Sequence, residues 1–212
     1  EIVYILNNFY NEGKLPVIPI YVDSPLAVNA TNIFRLHLDL FNKDVAEVLE
    51  YDEDPFGFGT LRYITNVNHS KSLNNRQEPC IIISASGMME AGRVKHHIAN
   101  NIDDPKNSIL AIGYCAPTTL GARILRGEKE ISIFGMPHVV NAEVFSIDAF
   151  SGHADYMEME EYLRCQNPEK VKKVFIVHGD YNAQLAYGKV LEKAGFKDIV
   201  IPEAGETFKI IS

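Results

Sequence analysis

The strongest constraint on the fold is a recurring unit: a short apolar run, a turn of small residues, then a stretch with helical spacing. Val17–Val22, Cys80–Ser84, Ile109–Cys115 and Val174–Val177 are such runs. Each is too short for a stable helix and reads as a strand buried in a sheet. Between them lie helical patterns: one with Ile33, Leu36, Leu40 and Phe41 on one face, one over Met88–Asn101, a short one over Ala122–Arg126 and another over Tyr156–Cys165. The clearest is 182–194, where Ala183, Ala186, Tyr187, Val190, Leu191 and Ala194 keep one apolar face and Gly195 stops the helix. Such alternation predicts an α/β protein with mainly parallel strands.

Residues 51–60 read as a loop and Leu61–Val67 as a further strand. Near residue 128 the texture changes. Glu130–Phe134 and Val139–Ile147 predict a hairpin interrupted by Gly135-Met-Pro, and Ile199–Ile201 with Thr207–Ile211 predicts a last strand pair. At the other end, Ile2, Ile5, Leu6 and Phe9 place an amphipathic helix at the first residues, with no initiator Met or capping residue before it. That pattern reads as a piece of a longer protein.

Composition narrows the function. With 46% hydrophobic and 23% charged residues over 212 positions, the chain has a globular balance. No apolar stretch is long enough for a membrane span, and no signal segment leads the sequence, so no membrane partner and a cytoplasmic location are expected. Three widely spaced cysteines without a CxxC pair predict reduced, mostly buried thiols, not a disulfide framework or a thiolate zinc site. A net charge of −8 argues against gripping nucleic acid over a broad basic surface, but leaves room for a narrow, locally basic cleft.

Three constellations can carry chemistry. In Val174-Phe-Ile-Val-His178-Gly-Asp180 a buried strand delivers a histidine at its C-terminal tip, where sites collect in open α/β sheets. His178 is a candidate metal ligand, with Asp180 orienting it or capping the next helix. The bland reading is a histidine satisfied by backbone. In Ala149-Phe-Ser151-Gly-His153-Ala-Asp155, Gly152 allows a sharp turn beside a helix start, and Asp155 with Glu158 resembles a capping box. His153 is a candidate general acid and Ser151 a phosphate contact. Against this stands a capped helix with a surface histidine.

The third constellation, Ser84-Ala-Ser86-Gly87-Met-Met-Glu-Ala-Gly92-Arg93, is a strand, a small-residue turn and a helix, the recipe for an anion site. Close helix–sheet packing explains its glycines equally well. On this reading Arg93 lies nearly two turns into the helix. His96 and His97 are neighbours on different faces of that helix, and His37, His69 and His138 have no ligand-like neighbours. With no HxHxDH or HExxH cluster, the chain does not assemble a zinc ligand set by itself.

Five segments in order, Asp23-Ser-Pro-Leu-Ala, Ser84 to Arg93, Gly113-Tyr-Cys-Ala-Pro-Thr-Thr-Leu-Gly-Ala122, Phe150-Ser-Gly-His-Ala-Asp155 and Val177-His-Gly-Asp180, resemble the β-CASP metallo-β-lactamases. This family includes RNase J and the endonuclease of mRNA 3′-end processing. The likeness covers essentially the whole chain and implies a Rossmann-like β-CASP domain at 1–148. It also implies that 149–212 is the C-terminal βα portion of a metallo-β-lactamase αββα domain, including the RNA-metabolising motif.

The resemblance further implies a zinc-dependent RNA hydrolase with two zinc ions in the intact enzyme. His178 matches a zinc ligand and His153 a histidine that assists the transition state or leaving group. Ser151 and the Ser84–Gly87 turn match positions along the RNA backbone path. The remaining ligands belong upstream of residue 1, so this piece alone is expected to bind no catalytic zinc and to be inactive without its missing N-terminal half. Self-association as a homodimer through apolar surface on 149–212 is expected as well. Two other readings stay open: a non-catalytic RNA-binding module, and a Rossmann-like nucleotide-binding domain that needs no metal.

Overall fold

Cap chemistry and strand pairing place the elements of this computed structural model, which describes residues 1–209. Helix α1 (Ile2–Asn11) precedes strand β1 (Ile20–Asp23). Ser24 then caps α2 (Pro25–Leu36), accepting from Ala27 N–H, with Pro25 in the first helical position where its missing donor costs nothing. After a 3-10 turn at Leu38–Leu40, Asn42 caps α3 (Lys43–Leu49). Strand β2 (Leu61–Tyr63), the Asn66-capped α4 (Val67–Leu73) and β3 (Ile81–Ser84) follow. Next are α5 (Arg93–Asn101), β4 (Ser108–Ile112), the Thr119-capped α6 (Leu120–Leu125), and strands β5 (Glu130–Ile133), β6 (Met136–Val139) and β7 (Glu143–Ile147).

The chain divides into two compact units, the first Glu1–Phe150 and the second from Ser151 onward. The second contains α7 (Tyr156–Leu163), β8 (Val174–Phe175), α8 (Tyr181–Lys193) and β9 (Ile199–Val200). Among the described residues no helix is long and apolar enough to cross a membrane.

The fold is α/β, and among the described residues the strand pairs are parallel except one. β1 lies between β2 and β3, with Ile20 opposite both Leu61 and Ile81. β4 pairs with β7 and β8 with β9, also in parallel. Ile20, Val22 and Leu61 form one core with Val3 and Leu6 of α1 against them. A larger core joins Ile98 and Ile102 to Ala111, Ile124, Ile131 and Ile133. Each fully buried aliphatic side chain contributes about 2 kcal/mol of transfer free energy. The loop at 51–60 is pinned by Arg35, whose Nε and Nη2 donate to the two Asp54 carboxylate oxygens at 2.9 and 2.8 Å.

Several elements differ from the sequence reading. The hairpin is β5 with β6, and its second arm includes Pro137, opposite Ser132. The chain turns at Phe134-Gly135, and Glu143–Ile147 leaves to pair in parallel with β4. Residues 88–92 are not helical. Gly92 has φ +80°, outside the helical region, so the helix starts only at Arg93, and a Cβ at residue 92 would collide with the Ala85 carbonyl oxygen. The expected strand Leu61–Val67 stops at Tyr63, because Asn66 caps α4. Of Thr207–Ile211, residues 207–209 form no strand, Phe208 packing edge-on against Phe175, and 210–211 lie outside the described residues. Cys80 and Cys115 are only half-buried and Cys165 is exposed, less buried than expected.

Candidate functional site

In the first unit the chemistry gathers at the C-terminal ends of β1 and β3. Asp23 is completely buried, and its carboxylate is fully engaged. Oδ1 accepts from Arg93 Nη1 at 2.6 Å, while Oδ2 accepts from Ser70 Oγ at 2.5 Å and faces His97 Nε2 at 2.6 Å. The other ring nitrogen of His97 lies 2.7 Å from Asn74 Oδ1. Burial alone would push the Asp23 carboxyl up, but donation from Ser70, His97 and Arg93 outweighs it and holds the group below the usual carboxylate range. Three elements, β1, α4 and α5, are thereby tied to one buried charge.

The predicted anion residues sit above this cluster. Ser84 Oγ donates to the Asp23 carbonyl at 3.0 Å, and Ser86 N–H to the Ala91 carbonyl at 3.2 Å, closing the turn on itself. Gly87 lies exposed at its tip. Arg93 departs from the sequence expectation. It is the first residue of α5, not nearly two turns inside, and its guanidinium points inward to Asp23 and to the Ile64 and Thr65 carbonyls. Its charge braces the turn against the strand ends. Val94 N–H, an amide of the first helical turn, is taken by the Ala85 carbonyl. The tight turn therefore leaves fewer free donors for an anion than its sequence suggests.

The sequence reading missed Asp23, Ser70 and His97 as a unit. His97 is separated from Asp23 by more than seventy positions and shares no motif with it. The available signal was the helical register: Arg93 and His97 stand one turn apart on α5 and face the same way. His96 and His97 do face apart, His96 stacking on Phe134 at 4.6 Å between ring centres. His138, judged to lack a ligand-like neighbour, has one: its Nδ1 lies 2.8 Å from Asp103 Oδ2.

The second unit carries the other predicted residues. Asp155 and Glu158 make the full capping box, with Asp155 Oδ1 accepting from Met157 and Glu158 N–H at 2.8 and 2.9 Å. Asp155 N–H donates back to Glu158 Oε2 at 2.9 Å. Just before it, Ser151 Oγ accepts from His153 N–H at 3.2 Å, bending the loop so that both side chains border an open cleft of about 680 Å3. Tyr162 and Tyr187 line the same cleft, two residues the sequence did not single out.

His178 lies outside this cleft's lining, exposed in a bend beyond β8, because the expected strand Val174–Val177 ends at Phe175. Its φ is +68°, a conformation that costs a residue with a Cβ and that clusters at functional sites. Gln184 Nε2 donates to its carbonyl at 3.0 Å and fixes the turn into α8. Asp180 occupies the N-cap position of α8 but makes no side-chain cap bond. Among the described residues no group of three or more His, Cys, Asp or Glu side chains is placed to hold a metal ion.

These arrangements can be compared with known proteins. A family model described as the Beta-Casp domain matches residues 1–124. The chain belongs to the β-CASP family. A second match, to the Zn-dependent metallo-hydrolase RNA specificity domain, covers residues 137–202 of the β-CASP chain. Ribonuclease TTHA0252 of Thermus thermophilus is 31% identical over 97% of the chain and 46% of its own length. The RNase J-like protein of Methanocaldococcus jannaschii is 31% identical over 99% of the chain and 47% of its own length. Cleavage and polyadenylation specificity factor 73 of Drosophila melanogaster is 29% identical over 86% and 26%. The β-CASP chain thus spans less than half the length of these relatives.

Proposed function

We propose that the protein to which this chain belongs hydrolyses RNA phosphodiester bonds with two zinc ions, and that the chain supplies an RNA-clamping domain, one zinc-ligand histidine and one assisting histidine. The observation that carries this reading is His178, an exposed histidine in the bend between β8 and α8, held at φ +68° within a segment matched by the Zn-dependent metallo-hydrolase RNA specificity domain. The relatives named as a ribonuclease and an RNase J-like protein supply the substrate class.

The described residues do not fit a complete zinc site, since His178 stands without a second and third ligand. In this proposal the remaining ligands come from a part of the full-length protein that the chain does not include, as the chain covers less than half of its relatives' length. Zinc, when bound, activates water and stabilises charge on phosphoryl oxygens. The chain's own part is separate from that chemistry. His178 offers one ring nitrogen. His153, on a loop rigidified by Ser151 and the Asp155 cap, is free to give a proton to a leaving oxygen. The exposed Gly87 tip and the Ser84 and Ser86 turn present backbone to the RNA, with Arg93 bracing the turn from beneath.

The test is zinc content and RNA cleavage of the chain, alone and mixed with the upstream half of the full-length protein. The mixture binds about two zinc ions and cleaves, while the chain alone does neither. His178→Ala lowers the zinc content of the mixture, and His153→Ala lowers cleavage with zinc retained. RNA binding by an inert, zinc-free mixture would transfer the assignment to a non-catalytic RNA-binding module.

A further inference from the structure

The β5–β6 hairpin turns through Phe134 and Gly135, with φ of +52° and +79°. A two-residue hairpin turn with both central residues left-handed strongly favours Asn-Gly or Asp-Gly, because a bulky side chain strains at positive φ. Gly135 follows that rule and Phe134 breaks it. Burial does not compensate, since Phe134 remains 55% exposed.

What the ring does have is company. The His96 imidazole stacks on it at 4.6 Å with 28° between the planes, and Lys95 Nζ lies 5.2 Å from its centre. With both neighbours in place more than half of the residue stays exposed, so Phe134 still presents surface to solvent at the hairpin tip. The carboxylate paired with Lys95 is Glu90 at 3.8 Å, beyond hydrogen-bond contact, and Glu90 Oε1 already accepts from Leu120 N–H. The Lys95 charge is therefore only loosely held. Both Lys95 and His96 stand on the first turn of α5, whose first residue, Arg93, braces the Ser84–Gly92 turn. His96 is about 4.5 Å further along the helix axis than Arg93.

We propose that Phe134, with His96 and Lys95, is a stacking platform for one unpaired base of a single-stranded RNA, Lys95 meeting the adjoining phosphate. The inference rests on the reading that this chain handles RNA, and it specifies that RNA as unpaired at this point. Every base has a π-face, so stacking here is tolerant of sequence, and a nearby cation neutralises backbone charge. A base inside a duplex offers no free face to the ring. The strained aromatic turn residue is thus kept for its exposed surface.

The experiment measures binding of the chain to labelled oligouridylate, and to an abasic strand of equal length, by fluorescence anisotropy. Phe134→Asn installs the residue this turn prefers, so the melting temperature holds or rises while the ring is lost. The expected result is about tenfold weaker binding of oligouridylate, within the range of one base–aromatic stack, with abasic binding unchanged. Phe134→Trp keeps the wild-type affinity. Equal losses on both strands would show that the tip acts through backbone charge or as a protein-docking element, and would overturn the platform. If wild type binds oligouridylate and Phe134→Asn binds it as tightly, the platform falls alone. If the wild-type chain binds neither strand, the RNA-binding reading falls and the platform with it.

Discussion

His97 Nε2 stands 2.6 Å from Asp23 Oδ2, and the pair joins helix α5 to the end of the central strand β1 in the interior of the first unit. Arg93 approaches the other carboxylate oxygen from the same helix. Two donors one turn apart on α5 therefore hold one acid, and the Ser84–Gly92 turn is suspended between the strand and helix that this acid connects.

Asp23→Asn follows from that geometry. It removes the charge that compensates Arg93 and turns an amide toward groups that donate. Breaking one partner of a buried ion pair costs about 3–5 kcal/mol. Urea denaturation should show a loss of this size, with the midpoint shifted and the slope unchanged.

The same carboxylate sets a pH dependence. Its folded pKa lies below its unfolded value, because Ser70, His97 and Arg93 together outweigh the opposing effect of burial. A depressed acid stabilises the fold fully above the unfolded carboxylate pKa of about 3.9, and that stability is lost as pH falls through the folded value. Chemical denaturation from neutral pH downward should therefore show wild type losing stability below about pH 4, with a flatter profile for Asp23→Asn.

Gly92→Ala tests the start of α5. The added methyl would meet the Ala85 carbonyl, and the backbone there has φ +80°. A loss of about 2 kcal/mol or more is expected from steric and backbone strain. Thermal denaturation gives the loss, and hydrogen exchange should place its largest effect at residues 84–95.

His178→Gly should move stability and function in opposite directions. Glycine accepts the left-handed conformation that His178 adopts at φ +68°. A gain of about 0.5–1 kcal/mol is expected in thermal melts. In the mixture with the upstream half, the same variant should bind less zinc.

Much of the fold was legible because it follows local rules. β1, β3 and β4 stand close to their apolar runs, α8 runs from Tyr181 to Lys193 where its apolar face predicted it, and Asp155 caps α7 as its spacing with Glu158 implied. Helices α3 and α4 were overlooked because each is short and lacks a sustained apolar stripe, its start set by a single capping Asn. The partner of β7 was illegible because parallel pairing with β4 depends on contacts distant in sequence. For the candidate site, His153 and His178 were recognisable in their motifs, and both are exposed. The inward orientation of Arg93 was not, since it depends on a buried acid brought in from another strand.

The central placement of β1 also governs the order in which the first unit can assemble. Both of its hydrogen-bonding edges are completed by later segments, at Leu61 and at Ile81. A nascent chain that has emerged only as far as α3 holds Ile20 and Val22 in a strand with two open edges and no sheet to join. The Asp23 carboxylate is then solvated and unpaired, because Ser70, Arg93 and His97 have yet to be synthesised. Parallel pairing over such separations is slow and leaves aggregation-prone edges exposed meanwhile. The sheet around β1 is therefore expected to close late on the ribosome, only once α5 has emerged, and the larger core of the first unit later still, after β7.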